Sequence, residues 1–164
     1  MIFWGNMSNF VEVIGKSVVC LNLVDRDSQQ LVTTLIEAAV ANGVLPPIHQ
    51  DEAIRAILKR EMSASTAMPD GIALPHGRTD CVTDIICVIG IHPNGIEFGA
   101  PDKQPSHIFV LLLVPSAVAC NHIHFLANLS RRLMEQSVRN ALLSATTREG
   151  VRQAILNHSD GGSF

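Results

Sequence analysis

The chain has 164 residues, of which 47% are hydrophobic, 16% charged and 4% aromatic, with 11 Gly and 8 Pro. That length fits one domain with a core that needs no disulfide or metal, and the composition excludes a disordered or low-complexity chain. A net charge of −3, from 12 basic and 15 acidic residues, excludes bulk attraction to nucleic acid or an anionic membrane.

Residues 1–16 have no clean period and read as an irregular lead-in or an extra helical turn. Their apolar start lacks the basic region and the length of an export signal. Ser17 to Leu23 is β-branched and reads as a strand. Asp27 or Ser28 caps a helix to Ala41 with Leu31, Leu35, Ala38 and Ala39 inward, and Gly43 stops it. After Pro46-Pro47, Asp51-Glu52 open a second helix with Ile54, Ile57, Leu58 and Met62 as its inward stripe. The small, polar stretch 63–71 reads as a loop, and Ile72-Ala73-Leu74 as a short apolar segment that Pro75 holds extended.

Ile85 to Ile91 is a buried strand, His92-Pro93-Asn94-Gly95 a turn, and 107–114 a second buried strand, too short at Pro115 to span a membrane. Asn121 caps a helix burying Phe125, Leu126, Leu129 and Leu133, and Ser137 starts a shorter one with Val138, Leu142 and Ala145. Thr146 and Glu149 form a capping box before Val151 to Leu156. Strands alternate with helices early and helices cluster late, which predicts a single α/β domain with a mixed sheet covered by helices.

The cysteines at 20, 81, 87 and 120 form no Cys-x-x-Cys and read as reduced core thiols of a cytoplasmic protein. Gly-x-Gly-x-x-Gly, P-loop, Gly-x-Ser-x-Gly and His-Glu-x-x-His motifs are absent, which removes the usual signals for nucleotide, esterase and zincin chemistry. Seven histidines stand out, at 49, 76, 92, 107, 122, 124 and 158. His49, His92 and His158 read as bystanders, and His107 as a strand-end polar residue.

His76 lies between Pro75 and Gly77, with Arg78 close by. It is either a turn histidine bonded to a backbone carbonyl or an imidazole nucleophile on a rigid backbone, open to a large partner. His122 and His124 point to different sides if helical; if extended they are a possible zinc pair. In a first helical turn His122 would meet bound phosphate. Arg60 is either a helix-end cation or a bidentate phosphate grip. Arg131, Arg132, Arg139, Arg148 and Arg152 read mostly as a solvated helical face.

Three blocks together resemble a known family. They are Arg60-Glu61 with Ser65-Thr66 and Asp70-Gly71-Ile72-Ala73-Leu74-Pro75-His76-Gly77-Arg78; Ala100-Pro101-Asp102-Lys103-Gln104-Pro105; and Asn121-His122-Ile123-His124-Phe125-Leu126-Ala127-Asn128-Leu129. In order and spacing they are similar to enzyme IIA of the bacterial phosphotransferase system, mannitol/fructose type, which includes the nitrogen-regulatory members. The resemblance implies a mixed sheet between helices, with a lead-in at 1–16, the IIA domain at 17–157 and a tail at 158–164. It implies that His76 carries a phosphoryl group taken from the phosphocarrier HPr and passed to an enzyme IIB. His122 is then the second active-site histidine, and Arg60 and Thr66 border the phosphate.

No metal or organic cofactor is implied, and the membrane component IIC is reached only indirectly. The alternatives are a regulatory IIA protein acting by phosphorylation-dependent binding, a metal hydrolase using His76, His122 and His124, and a structural domain without chemistry. Ala67-Met68-Pro69-Asp70 departs from the glycine-rich stretch common in relatives, and Asp70 would repel phosphate if it pointed inward.

Overall fold

The computed structural model describes residues 2–118 and 121–157, without the side chains of 2–8, 118 and 121. Cys120, His158, the tail 158–164 and the capping side chain of Asn121 therefore lie outside what is described, as do the side chains of Phe3 and Trp4. The elements in chain order are α1 (Ile2–Gly15), β1 (Val18–Cys20), α2 (Ser28–Ala41), α3 (Gln50–Ser63), β2 (Ala67–Met68), β3 (Ile72–Ala73), β4 (His76–Thr79), β5 (Ile86–Ile96), β6 (Ser106–Pro115), α4 (Asn121–Leu133), α5 (Gln136–Ser144) and α6 (Arg148–Leu156). The strands form one mixed sheet in the order β1-β5-β6-β3-β2, with β4 also on β6. The expected α/β class with a mixed sheet between helices is what the chain adopts. No helix among the described residues is long and apolar enough to cross a membrane.

The unbroken apolar run of β6 follows from its central place, because both of its faces are covered. Ile108, Val110, Leu112 and Val114 face a core shared with α1, α4, α5 and α6. Phe109, Leu111 and Leu113 face the opposite core, shared with α2 and α3. β3 and β4 both run parallel to β6 along one edge, pairing Ile72 with Ile108 and His76 with Leu112. The offset is 36 residues in both pairs, so β3 and β4 are one strand line interrupted at Leu74-Pro75. Pro75 has no N–H to give the ladder, but its carbonyl still accepts from Leu112 N at 2.9 Å.

Several local expectations change. Residues 2–15 form a full helix rather than an irregular lead-in, and Phe10, Val13 and Ile14 are buried. The stretch 63–71 contains a small hairpin: β2 pairs antiparallel with β3, and Asp70 and Gly71 turn it at φ +70° and +79°. Residues 92–95 do not end a strand. β5 continues to Ile96 through a register shift, and Gly95 takes φ +73° against the His107 ring, where a Cβ would come within 2.7 Å of that ring.

Met62 is 87% exposed, because the buried seam of α3 runs through Ala53 and Ile57 and a residue five further lies about 140° round the helix. The last helix is capped by Thr147, whose hydroxyl accepts from Gly150 N at 3.0 Å, while Glu149 pairs with Arg152 and Gln153 instead of closing a capping box. Arg132 leaves the solvated face altogether. It is 7% exposed, stacks 4.7 Å from the Phe10 ring centroid and donates to Ile155 O at 2.9 Å.

Candidate functional site

Helix α3 packs lengthwise on strand β4, and the closeness of that packing builds the site. A Cβ placed on Gly77 would lie 2.9 Å from the Ala56 carbonyl oxygen and 3.2 Å from Ile57 N, so only glycine admits this approach. Gly77 is thus required by the helix behind it rather than by access to the neighbouring imidazole. The approach brings the last turn of α3 beside the first residue of β4. There a cleft of about 440 Å³ opens, lined by Lys59, Arg60, Ser63, His76, Arg78 and His122, with Ala56, Gly77 and Val114 beneath.

His76 is half-buried, and its Nδ1 lies 2.8 Å from Leu74 O. A carbonyl oxygen only accepts, so Nδ1 carries the proton and Nε2 keeps the lone pair. The bond to a backbone carbonyl is therefore present, and it fixes the tautomer whose Nε2 lone pair a nucleophile would need. Arg60 donates once, from a terminal guanidinium nitrogen to Ala64 O at 2.9 Å, and lines the cleft with the same side chain. Its helix-end role and its place at the site coexist, since a guanidinium has five donors. His122 is 8% exposed at the start of α4, where the helix N-terminus favours an anion, while His124 is exposed and does not line the cleft.

The cleft lining includes three cations and two imidazoles and, among the described residues, no carboxylate. The family model for the phosphoenolpyruvate-dependent sugar phosphotransferase system, EIIA 2, matches residues 12–158. The chain belongs to this family. A fructose-specific EIIA component from Haloferax volcanii is 36% identical over 121 residues, covering 74% of this chain and 77% of that protein. A nitrogen regulatory protein from Escherichia coli is 30% identical over 133 residues, covering 79% and 78%.

Among solved structures, the nitrogen regulatory protein IIA-Ntr of Neisseria meningitidis superposes with a TM-score of 0.76 at 23% identity, over 84% of this chain and 92% of that one. The mannitol IIA of Escherichia coli, solved in complex with phosphorylated mannitol IIB, superposes with a TM-score of 0.70 at 22% identity, over 85% and 94%. The expected membership and the enzyme IIA fold are thereby shown.

In this IIA chain the remaining expected site residues are placed as follows. Thr66 does not line the cleft: its N–H and hydroxyl donate to the two oxygens of Glu61, at 2.8 and 2.6 Å. Asp70 lies on the hairpin turn, outside the cleft, with its carboxylate 4.0 Å from Arg139 and its N–H donating to Asp102 at 3.1 Å. The second sequence block thus holds the turn that precedes β3 and β4. The departure at Ala67–Asp70 puts no acid into the cleft, because the positive φ at Asp70 and Gly71 carries the turn toward α5.

Sequence reasoning missed Lys59. It passes for a solvated helix lysine until α3 is docked on β4, and its spacing next to Arg60 was the one available signal. The core reading of the thiols holds for Cys87, which is buried, burial pushing its pKa up to about 12. It fails for Cys81, which is half-buried beside Glu52 and His49, the one group of possible metal ligands among the described residues.

Proposed function

We propose that the protein is a cytoplasmic phosphocarrier of the phosphotransferase system, accepting a phosphoryl group from phospho-HPr on His76 and passing it to a separate enzyme IIB. The observation that carries this reading is an imidazole with its Nδ1 proton committed to Leu74 O, in a cleft whose charged lining groups are all cationic. Nε2 attacks phosphorus in line. The P–Nε2 bond forms as the donor's P–N bond breaks, and the resulting imidazolium character is stabilised through Nδ1–H by the Leu74 carbonyl.

Arg60, with Lys59 and Arg78, takes the charge of the equatorial oxygens, and the first turn of α4 offers His122 and backbone N–H groups to the same anion. Transfer onward reverses these bonds toward the IIB nucleophile. Thr66 enters as a positioning residue, anchoring Glu61 next to Arg60 rather than touching phosphate itself. The sugar-specific step and the membrane component IIC belong downstream, and no cofactor takes part in the step assigned to His76. The domain proper would extend over 17–157, with α1 as an addition that covers one face of the sheet.

The test is intact mass and acid-labile phosphate after incubation with enzyme I, HPr and phosphoenolpyruvate. One added phosphoryl group, absent in His76→Ala, is expected. No uptake, with HPr proven active on a control, would overturn the carrier reading. A regulatory role, in which phosphorylation of the same histidine controls binding to another protein, is favoured by the 30% identity to the Escherichia coli nitrogen regulatory protein. A IIB acceptor that discharges the phosphorylated chain separates the two readings in favour of transport.

A further inference from the structure

The far end of the α3–β4 pair carries a second group of reactive side chains. His49 sits at the entry to α3, Glu52 in its first turn and Cys81 two residues beyond β4, and one ligand atom from each lies within 4.8 Å of the other two. The Cys81 thiol donates to the Glu52 carboxylate. Thr79 Oγ1 donates to Glu52 Oε1 at 3.4 Å and accepts from Cys81 N at 3.1 Å, so the cluster already has an outer contact that orients it. Eight residues of helix, about 12 Å, separate Glu52 from Arg60.

We propose that His49, Glu52 and Cys81 form a binding site for a borderline divalent cation, best matched by zinc, separate from the phosphoryl cleft. One imidazole nitrogen, one thiolate and one carboxylate oxygen are the ligand types zinc takes, and three protein ligands leave a fourth tetrahedral position for water. Magnesium and calcium want oxygen ligands throughout, so the thiol and the imidazole select against them. On binding, a metal–Sγ bond forms and the thiol proton leaves to solvent. Glu52 exchanges the thiol donor for the ion while keeping Thr79, and no oxidation state changes. Of the other charges acting on the cluster, Asp80 favours the cation and Arg55 opposes it. The site ties the first turn of α3 to the chain leaving β4, closing the pair at the end opposite His76.

The experiment uses the full chain, stripped with chelator and titrated with zinc, and with cobalt as a spectroscopic probe. One ion per chain is expected, with a cobalt–thiolate charge-transfer band. Saturating zinc at about a hundredfold excess over Kd should raise Tm by roughly 5–10 °C. Zinc should also slow the reaction of Cys81 with a thiol reagent. Cys81→Ser, which preserves size, should abolish the band, and His49→Ala should weaken binding by more than the roughly 10–100-fold that an outer-shell loss costs. His76→Ala and His122→Ala should bind as the parent does. The proposal is overturned by absence of stoichiometric binding at micromolar zinc, by a band that survives Cys81→Ser, or by binding that is lost with the cleft histidines. Because the readouts are binding, absorption and Tm, they stand whether or not His76 carries phosphate.

Discussion

Helix α3 and strand β4 meet at two ends, and the chemistry is opposite at each. Where Arg60 comes beside His76, the charged groups lining the cleft are all cationic, and the partner it suits is an anion. Where Glu52 comes beside Cys81, a carboxylate, a thiol and an imidazole converge, and the partner they suit is a cation. Each end also works against the helix dipole. Cations offset the negative C-terminal end of α3 and an acid offsets its positive N-terminal end, so an arriving ligand meets side chains rather than the bare helix terminus. One close-packed contact between helix and strand thus organises two sites of opposite sign, with Gly77 at its centre.

The largest expected effect comes from removing the imidazole proposed as the nucleophile at the cationic cleft. His76→Ala should fold as the parent does and take up no phosphoryl group by intact mass; undiminished labelling would move the nucleophile elsewhere. Arg60→Lys keeps the charge and loses the planar fork, so transfer from phospho-HPr, followed by stopped reaction, should slow on the order of tenfold or more. Unchanged kinetics would reduce Arg60 to a helix-end cation bonded to Ala64.

Gly77→Ala strikes the contact that both ends share. Its Cβ would press on the Ala56 carbonyl, and urea unfolding should show a loss of about 1–3 kcal/mol, with transfer slowed because His76 shifts with its strand. If stability and transfer both stay at parent values, the α3–β4 approach is not what sets the site. Thr66→Val is the smallest: losing one hydroxyl bond to a carboxylate should cost about 1–2 kcal/mol and leave transfer within a few-fold. A drop as deep as that of Arg60→Lys would mean that Thr66 meets phosphate directly.

How much of this was legible beforehand varies by residue, for physical reasons. The helix from Ser28 was readable because its Asp27 cap and Gly43 stop act within one turn, and the Asp27 side chain does accept from Gln30 N at 2.8 Å. The buried strands of β5 and β6 were readable because a run apolar on both faces needs cover on both. His76 stood out because Pro75 fixes the backbone before it and Gly77 leaves no side chain beside it. The hairpin at 67–73 was hidden, since strands of two residues have no period to read. The continuation of β5 through His92–Gly95 was hidden too, because Asn-Gly signals a hairpin turn and a bulge equally well. Arg132 looked like a solvated arginine because nothing in α4 itself announces the Phe10 ring that α1 brings beneath it.

By itself the sequence determined the local and the patterned: the capped helices and the long apolar strands, that both faces of the sheet are covered, and that His76 follows a proline-fixed backbone. It also carried the family, through three blocks whose order and spacing survive without any folding argument. Only the tertiary structure decided that Lys59 joins Arg60 at the cleft, that Thr66 turns to Glu61, that Asp70 faces Arg139, and that His49, Glu52 and Cys81 converge. Caps and periodicity are fixed by contacts within a few residues, which any reading of the chain can count. The convergences depend on how closely α3 approaches β4, and that distance is set by what lies opposite Gly77, a helix more than a dozen residues earlier in the chain.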